Sequence, residues 1–318
     1  MEYRKLGKAG VKLSAIGLGS WLTYGGTVED QTAEACIDKA YASGINFFDT
    51  ANVYRHGEAE VVVGRALKKY PRDSFVLATK AFWPMGDGPN DRGLSRKHIF
   101  EQVHASLKRL QVDYIDLWQC HRFDPETPIE ETLRAIDDLI TQGKILYAGV
   151  SEWSALQIQQ ALHLARKYNL DPIVSNQPQY SMLERYIEPE IIPLCEREGV
   201  GQVVWSPLAQ GVLTGKYKPG QQPPVGSRAA EGKVSSSFAK LLTDTNLKKV
   251  QELQSVANSL DCSLPQLALA WILRQPNVTS CIIGASRPEQ IEENIGALQV
   301  KLTDDTLTEI EEILSGDA

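Results

Sequence analysis

Four residues of this chain are of types that move protons, and each stands at or just past the end of a short apolar run. Asp49 lies in NFFDTA, Tyr54 follows it by five residues, Lys80 ends FVLATK and His121 ends YIDLWQCH. An acid, a phenol, an ammonium and an imidazole meeting at one place can transfer protons. A free phenol has a pKa of about 10 and is a poor acid near neutrality. A neighbouring ammonium is expected to lower that pKa by stabilising the phenolate, with a carboxylate holding the ammonium charged and in place. The imidazole can hydrogen-bond a substrate oxygen or relay a proton. Such a set suits protonation of an alkoxide as it forms at a carbonyl carbon, so a small carbonyl compound is the expected substrate. Singly, each residue also fits a helix cap, a solvated loop or a satisfied core imidazole. Jointly, at matching strand ends, they favour chemistry.

Other chemistries lack their parts. No nucleophile is paired with a base as in a hydrolase triad. His56, His98, His104 and His163 are scattered and neither HxxxH nor HExxH occurs, so no metal site is expected. The five cysteines form no CxxC and are odd in number, which reads as buried reduced thiols, a reducing compartment and hence the cytoplasm. The net charge of −7 is spread along the chain without a basic run, which argues against nucleic acid as a partner. No window approaches the roughly 20 apolar residues of a membrane span. The opening MEYRKLGKAGVKLS holds no apolar signal core.

The elements that must position the four residues alternate. Short apolar runs at 14–19, 46–50, 75–80, 114–120, 145–150, 173–177, 202–206 and 280–284 read as strands covered on both faces. Between them, apolar residues recur at helical spacing: Phe100, Val103, Leu107 and Leu110; Ile129, Leu133, Ile136, Leu139 and Ile140; Leu264, Leu267, Ala268, Trp271 and Ile272; Ile291, Ile295 and Leu298. Ser95 and Ser154 fit N-caps, Pro128 a first turn, and Gly44 and Gly143 helix ends. Eight such units over residues 1–318 predict one (β/α)8 barrel domain of the TIM type, with residues at the C-terminal strand ends facing the active site. The open doubly wound sheet is the alternative, but Gly17-Leu-Gly19-Ser20 does not complete its dinucleotide fingerprint. A hairpin of residues 2–6 with 11–13 is expected to cap the barrel bottom. The segment 207–240 after strand seven is a long Gly/Pro/Ser-rich loop, 82–94 is a shorter insertion, and 304–314 reads as a final helix.

The motifs GLGSW, FFDTANVY, LATK, DLWQCH, GVSEW, SNQPQYS, WSPLAQGVLTGKY and IIGAS with QIEENIGA, in that order across nearly the whole chain, resemble the aldo-keto reductases. PPVGSRA and LPQLALAWILR are similar to the branch that holds the β-subunits of voltage-gated potassium channels and their bacterial relatives. The resemblance implies an NADP(H)-dependent carbonyl reductase with Tyr54 as proton donor, Lys80 and Asp49 setting its acidity, and His121 orienting the carbonyl. Channel β-subunits often carry Asn at the last position, so His121 favours a working reductase over a redox-sensing scaffold subunit of a channel-like partner. The same resemblance puts Trp205 on the nicotinamide, Ser151 and Gln177 on the carboxamide with Asn176 beside them, and Gly19, Ser20, Trp21 and Asp49 near the cofactor. Ser206, Leu208, Gly211, Lys216 and Arg228 fall to the pyrophosphate loop, Gly284, Ser286 and Gln290 to the adenosine 2′-phosphate, and Glu293 and Asn294 to the adenine. Family members often place Lys and Arg at the 2′-phosphate, where this chain has Gly284 and Gln290, with Arg287 as a candidate to compensate. Trp21, Tyr54, Trp83 and His121 are the expected substrate lining, with Tyr24, Phe82, Arg122 and Trp153 as further candidates for an aromatic mouth. Glu152 stands where the family often has Asn or Arg and receives no role. Members of this branch form homo-oligomers in many cases, and the sequence leaves that state open.

Overall fold

The computed structural model describes residues 1–21, 24, 29–225, 227, 229–230 and 236–316. Among them, eight parallel strands close into a barrel: β3 (Ile16–Gly19), β4 (Phe47–Asp49), β5 (Val76–Ala81), β6 (Ile115–Cys120), β7 (Ile145–Ser151), β8 (Ile173–Gln177), β9 (Gly201–Trp205) and β10 (Val278–Ile283), with β10 pairing back onto β3. Every residue of β5, β6 and β10 is buried, as continuous apolar runs covered by helices require. The covering helices are α1 (Asp30–Ala42), α2 (Glu58–Leu67), α3 (Arg96–Leu110), α4 (Ile129–Thr141), α5 (Ala155–Tyr168), α6 (Ile191–Glu198), α7 (Ser236–Ala239), α8 (Asp244–Ser259), α9 (Leu264–Leu273), α10 (Glu289–Ile295) and α11 (Asp304–Ser315).

Local chemistry starts and stops these helices. The Ser95 hydroxyl accepts the His98 amide at the start of α3, and Ser154 with Gln157 forms a reciprocal capping box on α5. Ser263 and Gln266 repeat that box on α9. Pro128 sits one residue earlier than expected, as the N-cap of α4, because its ψ of 131° is extended and only Ile129 begins the helix.

The expected N-terminal hairpin is β1 (Tyr3–Lys5) paired antiparallel with β2 (Lys12–Ser14). Its Leu6 and Leu13 are fully buried against Phe47, Val76, Leu117, Val203 and Ile282 from the barrel strands. That apolar plug closes the N-terminal end and leaves the C-terminal end as the open mouth. Gly7 permits the closure: its φ is +57°, and a Cβ there would lie 2.2 Å from the Gly199 carbonyl oxygen.

The long segment after β9 is partly a packed element. It opens with a 3-10 turn, Ala209–Thr214, in which Ala209, Gln210 and Gly211 take left-handed φ values of 48°, 55° and 100°. Val212, Leu213, Tyr217 and Phe238 anchor it in the core.

Candidate active site

The strand ends bring the four predicted residues together. Asp49 ends β4, Lys80 is the penultimate residue of β5, and His121 follows β6 directly, its amide bonded to the Ala81 carbonyl at 3.1 Å. Tyr54 opens a one-turn helix, Tyr54–Gly57, that the loop after β4 returns to the mouth, with the Asn52 amide pinned to the Lys80 carbonyl at 3.0 Å. Lys80 Nζ donates to Asp49 Oδ2 at 2.7 Å and to the Thr50 carbonyl at 2.7 Å, and the ammonium lies 5.3 Å from the centre of the Tyr54 ring. The Tyr54 and His121 rings meet edge to face at 5.7 Å.

Burial decides the protonation states. Lys80 is 0% exposed, and loss of water lowers its pKa from the usual lysine range, with Asp49 opposing the fall. His121 is pushed well below the usual imidazole value by burial and then by the charges of Lys80 and Arg122. Tyr54 departs from expectation: its phenol is raised, first by burial and then by the Asp49 carboxylate, with Arg122 opposing. At rest the phenol is therefore proton-loaded and the imidazole neutral.

Several predicted cofactor contacts are already engaged within the protein. Gln177 Nε2 donates to Asp49 Oδ1 at 3.0 Å, reaching across the mouth to the ion pair. The Ser151 hydroxyl donates to the Gln177 carbonyl at 2.8 Å. Ser20 is buried and its hydroxyl donates to Thr50 Oγ1 at 2.8 Å, while Gly19 packs beneath it at the end of β3. The amide and hydroxyl of Ser286 both bond Gln290 Oε1, at 2.8 and 3.3 Å, so these two residues tie one another ahead of α10. Asn294 is buried in α10, Glu293 is exposed, and Arg287 approaches Glu289 at 3.9 Å on the exposed surface.

Other positions remain open to a ligand. Asn176 is not among them: it is fully buried on the opposite face of β8 from Gln177, and its Nδ2 donates to Gln202 Oε1 at 3.0 Å. A Cβ at Gly284 would meet nothing within 4 Å. Ser206 takes a left-handed φ of 53° just past β9, leading through the half-buried Leu208 to Gly211. Lys216 is exposed, and its Nζ would lie 3.1 Å from a Cβ at Gly211, so ammonium and glycine are neighbours. Arg228 lies outside the described residues. The half-buried Trp205 meets Trp21 edge to face at 5.7 Å. Trp21 and Trp83 are 39% and 38% exposed at the mouth, whereas Tyr24, Phe82 and Trp153 are buried.

Sequence reasoning passed over two residues. Glu152 holds a left-handed φ of 59°, and its carboxylate accepts the Gln179 amide at 2.6 Å, Trp205 Nε1 at 2.8 Å and the Tyr186 hydroxyl at 3.0 Å. Glu60 of α2 is fully buried and accepts the hydroxyl of Thr79, the residue before Lys80, at 2.6 Å, and Arg109 Nε at 2.6 Å. A Glu inside the apolar run of α2 was the available sign. Nothing in the sequence marks the backbone turn that aims Glu152 at the indole.

Among the described residues no group of three or more His, Cys, Asp or Glu could hold a metal ion, and no helix is long and apolar enough to cross a membrane. Cys36, Cys120, Cys195 and Cys281 are buried free thiols and Cys262 is half-buried.

A parallel barrel with hairpin-sealed bottom and a mouth gathering acid, ammonium, phenol and imidazole defines the class: an oxidoreductase of the (β/α)8 type. Residues 15–315 match the model of the aldo/keto reductase family, and the chain belongs to that family. An Arabidopsis thaliana protein described as a probable voltage-gated potassium channel subunit beta is 44% identical over 319 residues, spanning 99% of this chain and 97% of the relative.

Proposed function

We propose that this protein reduces aldehydes and ketones to alcohols with NADPH, Tyr54 delivering the proton. The observation that carries the reading is the buried Asp49–Lys80 pair lying against the Tyr54 ring, with His121 packed edge to face on the same ring. Gly284 leaves room where backbone would approach a phosphate. The mouth fits a nicotinamide dinucleotide with Trp205 under its ring, Ser151 and Gln177 at its carboxamide, and Ser206, Leu208, Gly211 and Lys216 along its phosphates. When bound, the nicotinamide supplies a hydride to the carbonyl carbon.

The chain's own residues do the rest. Neutral His121 has a buried, unpartnered Nδ1, which leaves Nε2 as the atom to hold a carbonyl oxygen. The raised phenol of Tyr54 is fully protonated at neutral pH and gives its proton to the alkoxide, a far stronger base than a phenolate. The ammonium of Lys80 then stabilises the phenolate until it is reprotonated. Asp49, held by Gln177, keeps the ammonium in place.

The test is reduction of 4-nitrobenzaldehyde by NADPH, followed at the reduced-cofactor absorbance band. Tyr54→Phe should lower kcat by about 10²–10⁴-fold. Turnover that survives the substitution refutes Tyr54 as donor. The Arabidopsis relative's description favours a second reading, a cofactor-holding subunit of a channel-like complex. That reading predicts NADPH bound with no turnover.

A further inference from the structure

Arg122 follows His121 at the mouth and is half-buried. Its Nη1 donates to the His121 carbonyl at 2.6 Å and reaches Ser151 Oγ at 3.5 Å. The guanidinium carbon lies 5.6 Å from the Trp83 ring centre, a cation–π contact that steadies the group. Its Nε and Nη2 donate to no described residue, and no described carboxylate forms an ion pair with it. Nearby Glu152 is occupied by Gln179, Trp205 and Tyr186. Lys80, by contrast, is matched by Asp49.

A half-buried guanidinium without a carboxylate is a poorly compensated charge. Its planar fork matches a carboxylate through two parallel N–H bonds. The exposed Trp83 supplies a flat apolar wall beside it. The field of Arg122 also reaches the reacting groups, since its charge acts on Tyr54, Lys80 and His121 alike. An anion held on this fork therefore lies close to the proton donor.

We propose that Arg122 is an anion anchor, and that the preferred substrates are aldehydes or ketones carrying a carboxylate close to the carbonyl. The proposal rests on the reductase reading and narrows it to a substrate class. Arg122 acts here as a specificity determinant, outside the proton-transfer set.

The experiment compares 4-carboxybenzaldehyde with its uncharged methyl ester, methyl 4-formylbenzoate, in wild type, Arg122→Met and Arg122→Lys. A charge-assisted bidentate contact predicts a wild-type preference in kcat/KM for the acid of about ten- to hundred-fold. The preference should fall to near one in Arg122→Met and to an intermediate value in Arg122→Lys, which keeps the charge and loses the fork. The ratio cancels any change in the reacting groups, because both substrates share them. Equal wild-type use of acid and ester overturns the proposal, as does a preference that persists in Arg122→Met. A binding arm separates the two readings: 4-carboxybenzyl alcohol should raise the Tm of wild type but not of Arg122→Met. No turnover of either aldehyde with that Arg122-dependent shift intact sinks the reductase reading and upholds the anchor. No turnover and no shift sinks both.

Discussion

Replacing Asp49 with Asn probes the pair on which the proposed site depends. The pair is 2.7 Å long with its two side chains 0% and 5% exposed, so at an effective dielectric of about 20 its attraction is about 6 kcal/mol. Desolvation of both ions consumes most of that, so the net value of the pair is small. Removing one partner, however, leaves the other buried and uncompensated, which costs about 3–5 kcal/mol. In Asp49→Asn, Lys80 keeps the Thr50 carbonyl but loses its counter-charge, and its already lowered pKa falls further. Between its folded-state pKa and the unfolded value, the folded variant then binds fewer protons than the unfolded chain. The deficit must shrink as pH climbs from the folded-state pKa toward the unfolded value of about 10.4. Urea unfolding at several pH values reads this directly, with the m-value as control. The double variant Asp49→Asn/Lys80→Met should recover most of the loss, because no buried charge remains. A loss below about 1 kcal/mol, as for a surface pair, or one independent of pH, refutes the reasoning.

Three further outcomes are expected. With His121 neutral and Tyr54 protonated throughout, the reduction rate should be flat between about pH 6 and 8, and a kinetic limb near the ordinary imidazole value contradicts these assignments. Glu152→Ala removes the acceptor of Trp205 Nε1, so intrinsic tryptophan fluorescence should change and NADPH affinity fall by about ten-fold; unchanged affinity removes Glu152 as the support of Trp205. Leu13→Ala in the hairpin plug should cost about 2–5 kcal/mol of stability with KM unaltered, and a changed KM shows that the plug communicates with the mouth.

Much of the architecture could be read directly. Continuous apolar strands and three-four helical spacing locate all eight barrel strands to within about two residues, since both patterns report local burial. The capping serines read equally well, because a hydroxyl on its own third amide is a short-range interaction. Asp49, Lys80 and His121 were legible because charged or titratable types interrupt apolar runs at one end of each strand.

The amino-acid order thus determined the barrel, its sealed end and which titratable residues gather at the mouth. Folding in three dimensions decided how those groups are charged and which hydrogen bonds they have left. Burial raises the phenol that an adjacent ammonium was expected to acidify, and the Asp49 carboxylate adds to the rise. Gln177 bonds Asp49 although 128 positions separate them, and Glu152 reaches Trp205 across 53. Desolvation and contacts between opposite strands depend on every chain segment that closes the mouth, and no local stretch of sequence encodes them.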